Sequence, residues 1–165
     1  SDLFSGGEGA GILHTLLGIL KGTAHVLIKQ LLGKADNADV AKMAVYLRDR
    51  RMVINNEVRF GFELPADIAA SFATIFDAIS AGQGKEHRDA LNDLMQKFAD
   101  LAVARYLDDF IAPIELGFIK RKGAEIGRGT INKGVHAALN KLIPSLGNKD
   151  LEIFRAFFSE LIIKG

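Results

Sequence analysis

The chain contains no cysteine. This absence excludes thiolate catalysis, cysteine-ligated zinc and disulfide bonds, so a hydrophobic core has to hold the fold together. A chain of 165 residues is long enough for one core of ordinary size. A cysteine-free chain also fits a reducing compartment, and we predict a cytoplasmic protein, with a secreted effector as the alternative.

An excess of charge of either sign is also lacking, because 21 basic residues are balanced by 20 acidic ones. Because the net charge is close to zero, binding to nucleic acid or anionic lipid would need a local basic patch. Long uncharged runs are missing too, since Lys21, His25 and Lys29 interrupt the longest apolar segment. We therefore expect no simple membrane-spanning helix of about 20 residues. We also expect no signal peptide, because no basic region precedes that segment.

The composition that is present is that of an ordinary globular protein, with 48% apolar and 25% charged residues. Apolar residues recur at the helical spacing of three, four and seven along most of the chain. These patterns predict an all-α or mainly α protein, a compact bundle of five to seven helices. We expect residues 1–10 to be a flexible lead-in and residues 11–165 to form a single helical domain.

Capping residues, prolines and glycines set the predicted helix boundaries. Asp36 or Asn37 can cap the second helix, and Pro65 suits the first turn of another. Glycines at 123, 127, 129 and 134 indicate a polar surface connection between two helices. The predicted helices cover residues 11–32, 38–49, 65–79, 85–111, 114–122, 131–143 and 149–163.

Residues 51–62 have a different pattern from the rest of the chain. Their valines, isoleucine and phenylalanines favour extended structure, and Asn55-Asn56 suits a two-residue turn with positive φ. We predict a short β-hairpin here. Helix initiation without strands is the alternative.

The first predicted helix, residues 11–32, is one candidate contact surface. Its polar side combines two histidines, two lysines and two glycines without an acidic residue. Such a surface can meet an anionic membrane, or another helix through the spacing of its glycines. The competing interpretation is a core helix with its polar side in water. The candidate contact residues are His14, Gly18, Lys21, Gly22, His25 and Lys29.

Two basic segments are candidates for binding nucleic acid or a phosphate ligand. The first lies around the predicted hairpin, and the second lies in the glycine-rich stretch, whose backbone could wrap a phosphate if it is a loop. The competing interpretations are solvated arginines paired with neighbouring acids, and a plain surface connection. The candidate residues are Arg48, Arg51, Arg59, Lys120, Arg121, Lys122, Arg128 and Lys133.

Enzymatic chemistry has the least support. Acidic residues and a histidine open the predicted long helix, at Glu86, His87, Asp89 and Asp93, but acids at a helix N-terminus are typical because they suit its dipole. The motifs HExxH, GxSxG and the P-loop are absent. We therefore assign no catalytic residue, no metal site and no cofactor. An enzyme that uses carboxylates in a helical cavity is kept as the last of three hypotheses.

The leading hypothesis is a non-enzymatic helical interaction protein. It would bind a protein partner, itself or a membrane surface through amphipathic helices. The second hypothesis is nucleic-acid or phosphate binding through segments 48–59 and 120–133. Protein binding or self-association is the favoured partner class, with a peripheral membrane contact next and nucleic acid last.

Overall fold

The computed structural model describes residue 29 and residues 36–54, 56–108 and 118–162, with backbone alone at 54, 57, 59, 60, 107 and 118–121. The described residues form a mainly α-helical bundle with one short hairpin, which confirms the predicted fold class. The first predicted helix lies outside this part of the chain, apart from the helical residue Lys29. In chain order the elements are α1 (Asn37–Asp49), β1 (Arg51–Ile54), β2 (Glu57–Phe60), α2 (Ala66–Ser80), a 3-10 turn (Gly84–His87), α3 (Arg88–Val103), a π-helical segment (Ala104–Asp108), α4 (Phe118–Leu142), a 3-10 turn (Ile143–Ser145) and α5 (Asn148–Leu161).

Backbone contacts divide the described residues into two compact units. The helical unit holds residues 65–98 and 134–162, and the mixed unit holds residues 36–54, 56–64, 99–108 and 118–133. The expectation of a single domain over residues 11–165 stays a prediction.

A capping box begins α1 in the mixed unit. The Asp39 amide donates to Asp36 Oδ1 at 2.8 Å, and the Asp36 amide donates to Asp39 Oδ2 at 3.4 Å. Both bonds satisfy backbone donors that the first helical turn leaves without a partner. Of the two caps that the sequence allowed, Asp36 or Asn37, the structure has Asp36.

The predicted hairpin is confirmed. β1 and β2 pair antiparallel, with Ile54 opposite Glu57 at the turn and Arg51 opposite Phe60 at the open end. Asn56 has a φ of 64°, the left-handed conformation that asparagine tolerates better than most residues. The Gly61 amide donates to the Arg50 carbonyl at 3.3 Å and so continues the ladder one pair beyond the strands.

The core of the helical unit is built around Phe72 on α2. Its side chain is 1% exposed, and its ring lies 5.6 Å from that of Phe98 and 6.3 Å from that of Phe158, between ring centroids. Rings at these distances add specific contacts to simple burial. Other elements of the unit contribute the fully buried side chains Leu91, Leu139, Ile143 and Leu151.

Polar contacts join the connections of the helical unit to its helices. The Arg88 guanidinium donates to the Leu146 carbonyl, and Asn148 Nδ2 donates to the Gly82 carbonyl at 3.1 Å. Gly82 itself has a φ of +80°, so the turn after α2 uses the freedom of a glycine. The connection between the helices predicted over 65–79 and 85–111 is thus a tight turn that leads into a 3-10 turn.

The predicted helix over 85–111 differs from the structure at both ends. Its beginning is the 3-10 turn Gly84–His87, and after Val103 the chain continues as a π-helical segment to Asp108. A Cβ at Gly84 would lie 2.9 Å from Leu151 Cδ1, so packing against α5 shapes this turn. Residues 109–111 lie outside the described part of the chain.

The predicted glycine-rich connection between two helices is wrong. Residues 118–142 form one helix of 25 residues, so the helix predicted near 131–143 begins much earlier. No glycine of α4 has a positive φ, and a Cβ at Gly123, Gly129 or Gly134 would have no atom within 4 Å. Burial of Val135, Leu139 and Leu142 along one side favours the C-terminal part of this helix. Residues 122–134 carry no fully buried side chain, and each of their glycines costs about 1 kcal/mol in the helix interior.

Candidate functional site

Most of the contact residues predicted on the helix over residues 11–32 lie outside the described part of the chain. This holds for His14, Gly18, Lys21, Gly22 and His25. Lys29 is helical and exposed. The role proposed for this helix therefore stays a prediction.

The basic segment around the hairpin lies in the mixed unit. Arg48 is near the end of α1 and pairs with Asp49 at 3.3 Å, with 72% of the Arg48 side chain exposed. An ion pair so exposed contributes little to stability. Arg51 begins β1 and is exposed, and Arg59 lies in β2 opposite Met52. The hairpin thus carries two of the three predicted arginines, one on each strand.

Arg50 has a structural role that the sequence did not indicate. Its guanidinium lies over the Tyr46 ring at 3.7 Å from the ring centroid, within the range of a cation–π contact. The Tyr46 hydroxyl donates to the Arg105 carbonyl in the π-helical segment. Tyr46 therefore links the end of α1 to a segment 59 residues further along the chain.

The second basic segment lies on α4, so most of its backbone amides are not available to bind a phosphate. Lys120, Arg121 and Lys122 belong to the first turn and a half, and Lys133 is exposed further along. Beyond its first turn, a helix uses its amide groups for its own hydrogen bonds. A backbone cradle for phosphate, as the glycines suggested, is therefore not formed by residues 123–134, and only the cationic side chains remain as candidates.

Arg128 is already engaged in an ion pair. Its Nη1 lies 2.7 Å from Asp108 Oδ2, and both side chains are partly exposed.

The acidic start of α3 shows no arrangement for a cation. No group of three or more histidine and carboxylate side chains among the described residues is placed to hold a metal ion. The geometry around Glu86, His87, Asp89 and Asp93 thus adds nothing to the catalytic hypothesis.

Exposed apolar side chains are the most distinctive surface feature. Six of the ten large apolar residues that are exposed in the described chain fall between positions 40 and 58. Val45 lies on the other side of α1 from Val40 and Leu47, and Met52 lies on the other face of the hairpin from Val53 and Val58. We name the remaining four residues the apolar surface: Val40, Leu47, Val53 and Val58. Single exposed apolar residues are normal, whereas neighbouring ones on one face are typical of contact sites.

Two pairs within the apolar surface share a face of their element. Val40 and Leu47 are seven residues apart on α1, a spacing that brings both to one side of a helix. Val53 and Val58 are direct cross-strand partners, so they lie on the same face of the hairpin, 61% and 52% exposed. The sequence predicted these valines as strand residues but not as a contact surface. The two-residue turn at 55–56 was the signal, since it fixes which residues become opposite each other.

Aromatic contacts support the base of the hairpin. The Phe62 and Tyr106 rings meet edge to face, with 5.4 Å between their centroids. Burial raises the pKa of the Tyr106 phenol above its usual value, and repulsion from Tyr46 raises it further. Both tyrosines of the chain thus contribute contacts near the hairpin, although Tyr106 is still 42% exposed.

The tyrosine pair gives a direct test of these contacts. In Tyr46→Phe the one remaining phenol is Tyr106, so phenolate absorbance during a pH titration reports its pKa alone. We expect that pKa to fall towards the usual value of about 10 but to stay above it, because burial is the larger cause. Tyr106→Phe is the control, since it reports Tyr46. A midpoint at or below the usual value in Tyr46→Phe would contradict the packing described for Tyr106.

Comparison with known proteins finds no family profile, no curated protein and no solved structure that matches the chain. None of the described helices has the length and apolar character required to cross a membrane.

Proposed function

We propose that the chain is a non-enzymatic interaction protein that binds through its apolar surface, Val40 to Val58. The two exposed apolar pairs, Val40 with Leu47 on α1 and Val53 with Val58 on the hairpin, are the observation that carries this proposal. The sequence favoured the same class of function but predicted the contact on the first helix. We therefore place the proposed contact on α1 and the hairpin, and the contact on the helix over residues 11–32 stays a prediction.

Physical arguments support this surface as a binding site. Full burial of a valine or leucine is worth about 1.5–3 kcal/mol. The side chains of each pair are about half exposed, so a partner that covers one pair would gain about 1.5–3 kcal/mol. The Tyr46 contacts with Arg50 and Arg105 hold the end of α1 in place. A surface that is already ordered loses less entropy when it binds.

The proposal is tested by paired lysine variants. Val40→Lys/Leu47→Lys places two charges on the apolar surface, while Ile153→Lys/Leu161→Lys makes the same change on α5 at similar exposure, 46% and 39% against 42% and 46%. We expect the first variant to weaken binding at least tenfold, since each unfavourable burial of a charge exceeds about 1.4 kcal/mol. We expect the second variant to bind like the wild type.

Three measurements define binding in this test. Light scattering over a concentration series reports self-association, co-sedimentation with phosphatidylcholine–phosphatidylserine vesicles reports a membrane contact, and affinity capture reports protein partners. Val53→Lys/Val58→Lys makes the corresponding change on the hairpin. A signal that the α1 or the hairpin variant loses and the α5 variant keeps counts in favour. A wild type that stays monomeric, ignores vesicles and has no variant-sensitive partner would overturn the proposal.

The nucleic-acid alternative has its own signature in the same experiment. Binding through the cations of α4 would appear as retention on heparin that falls steeply with salt. Such retention would be insensitive to the lysine pair on α1 and would be reduced by Lys122→Ala/Lys133→Ala. That combination of results would favour the alternative over the proposed function.

A further inference from the structure

In the described part of the chain β1 is the one strand that pairs with β2, so the other edge of β2 has no strand neighbour there. The bond from the Gly61 amide to the Arg50 carbonyl marks that pair as a hydrogen-bonded pair of the ladder. In an antiparallel ladder such pairs alternate, so the pair Val53–Val58 is a non-bonded one. The backbone N–H and C=O of Val58 therefore point away from β1, towards the other edge of β2.

The sequence of β2 is complementary to itself when it pairs antiparallel about Val58. In that register Val58 lies opposite Val58 of a second copy, where both residues present the N–H and C=O groups that a bonded pair needs. Glu57 then lies opposite Arg59 of the second copy, and the two-fold axis repeats this pairing of opposite charges. A register centred on Arg59 would instead bring two arginines opposite each other.

We infer that the hairpin binds a second copy of this chain, edge to edge through β2, to form a four-stranded antiparallel sheet. The inference rests on the proposed function and names its partner. Val53 and Val58 of both copies form one row of four valines across a face of this sheet, where each hairpin alone leaves two of them exposed. Isolated two-stranded hairpins are marginal in water, and a wider sheet with an apolar face is more stable.

Charge reversal at positions 57 and 59 tests the register. Glu57→Lys puts lysine opposite arginine twice in the dimer, and Arg59→Glu puts glutamate opposite glutamate twice. We expect each single variant to raise the dimer dissociation constant about tenfold or more, measured by sedimentation equilibrium. The double variant Glu57→Lys/Arg59→Glu restores opposite charges, and we expect its dissociation constant within about threefold of the wild type.

The controls separate dimerisation from folding. Within one copy Glu57 is opposite Ile54 and Arg59 is opposite Met52, so the reversals create no like-charge pair inside the hairpin. Circular dichroism should show the same spectrum for all variants. Glu63→Lys makes the same charge change at an exposed position beyond β2 and should leave the dissociation constant unchanged.

Single cysteines give an independent test in this cysteine-free chain. Val58→Cys places two thiols on directly opposite residues, about 5.5 Å apart between Cα atoms and within the range of a disulfide. Val53→Cys is more exposed, but its two copies lie three strand spacings apart, about 14 Å. We expect oxidation to convert Val58→Cys to a covalent dimer much faster than Val53→Cys.

Several outcomes overturn this inference without touching the proposed function. They are a monomeric wild type at about millimolar concentration, a dimer that both charge reversals leave intact, a double variant that does not recover, and faster crosslinking of Val53→Cys. A variant-sensitive partner or vesicle contact in the lysine experiment would then still support an interaction protein. Failure of both experiments would remove both proposals.

Discussion

Replacing Phe72 by alanine is expected to lower the free energy of unfolding by about 3–5 kcal/mol, the largest effect we expect from a single substitution. Phe72 is 1% exposed and its ring contacts those of Phe76, Phe98 and Phe158. Its removal leaves a cavity that three elements of the helical unit would have to fill. Since domains are stable by only about 5–15 kcal/mol, the variant should unfold at much lower denaturant concentration.

Thr74→Ala is the matched control for this prediction. Thr74 lies on the same helix, is exposed, and donates from its hydroxyl to the Ala70 carbonyl at 3.1 Å. Surface substitutions of this kind usually change stability by no more than about 0.5 kcal/mol. If denaturant titration gave the two variants the same midpoint, the aromatic cluster would not be the core of the helical unit.

Alanine in place of the α4 glycines is expected to stabilise the protein. Gly123, Gly129 and Gly134 lie inside a helix, and a Cβ at each would have no atom within 4 Å. Each substitution should therefore add about 0.5–1 kcal/mol, and the triple variant about 1.5–3 kcal/mol, because the sites do not contact one another. Thermal unfolding followed by circular dichroism measures the gain.

Gly82→Ala gives the opposite expectation and completes this test. Gly82 also has open space around it, but its φ of +80° is unfavourable for any residue with a Cβ. The substitution should destabilise the protein by about 1 kcal/mol. A loss of stability in the triple variant would mean that residues 123–134 do not form a helix or that the glycines are needed for a close contact.

Local signals in the sequence were sufficient for several elements. Asp36 identified the start of α1 because its side chain can bond the amide three residues later, and it does. The asparagine pair at 55–56 identified the hairpin because a two-residue turn needs residues that tolerate positive φ. Pro65 and the apolar stripe from Ile68 onward identified α2 within one residue at each end.

Other features depend on contacts between distant residues, which periodicity does not encode. The glycines of α4 were interpreted as a connection because their helix propensity is low, yet residues 118–142 form one continuous helix. The bond from Tyr46 to the Arg105 carbonyl spans 59 residues and has no local signal. The exposed pair Val53–Val58 was implied by the turn, yet it becomes visible only once the register is known.

The π-helical segment has five residues. The direction in which the following residues point depends on this length more than on the side chains of the segment. A π turn holds one residue more than an α turn, so it can be regarded as an α-helix with a single insertion. Deleting one residue there would restore an α-helix and rotate the next residues of the chain by about 100° around the helix axis. Asp108 would then no longer be directed at Arg128. In this part of the chain, evolutionary tolerance should therefore differ sharply between substitution and a change of length.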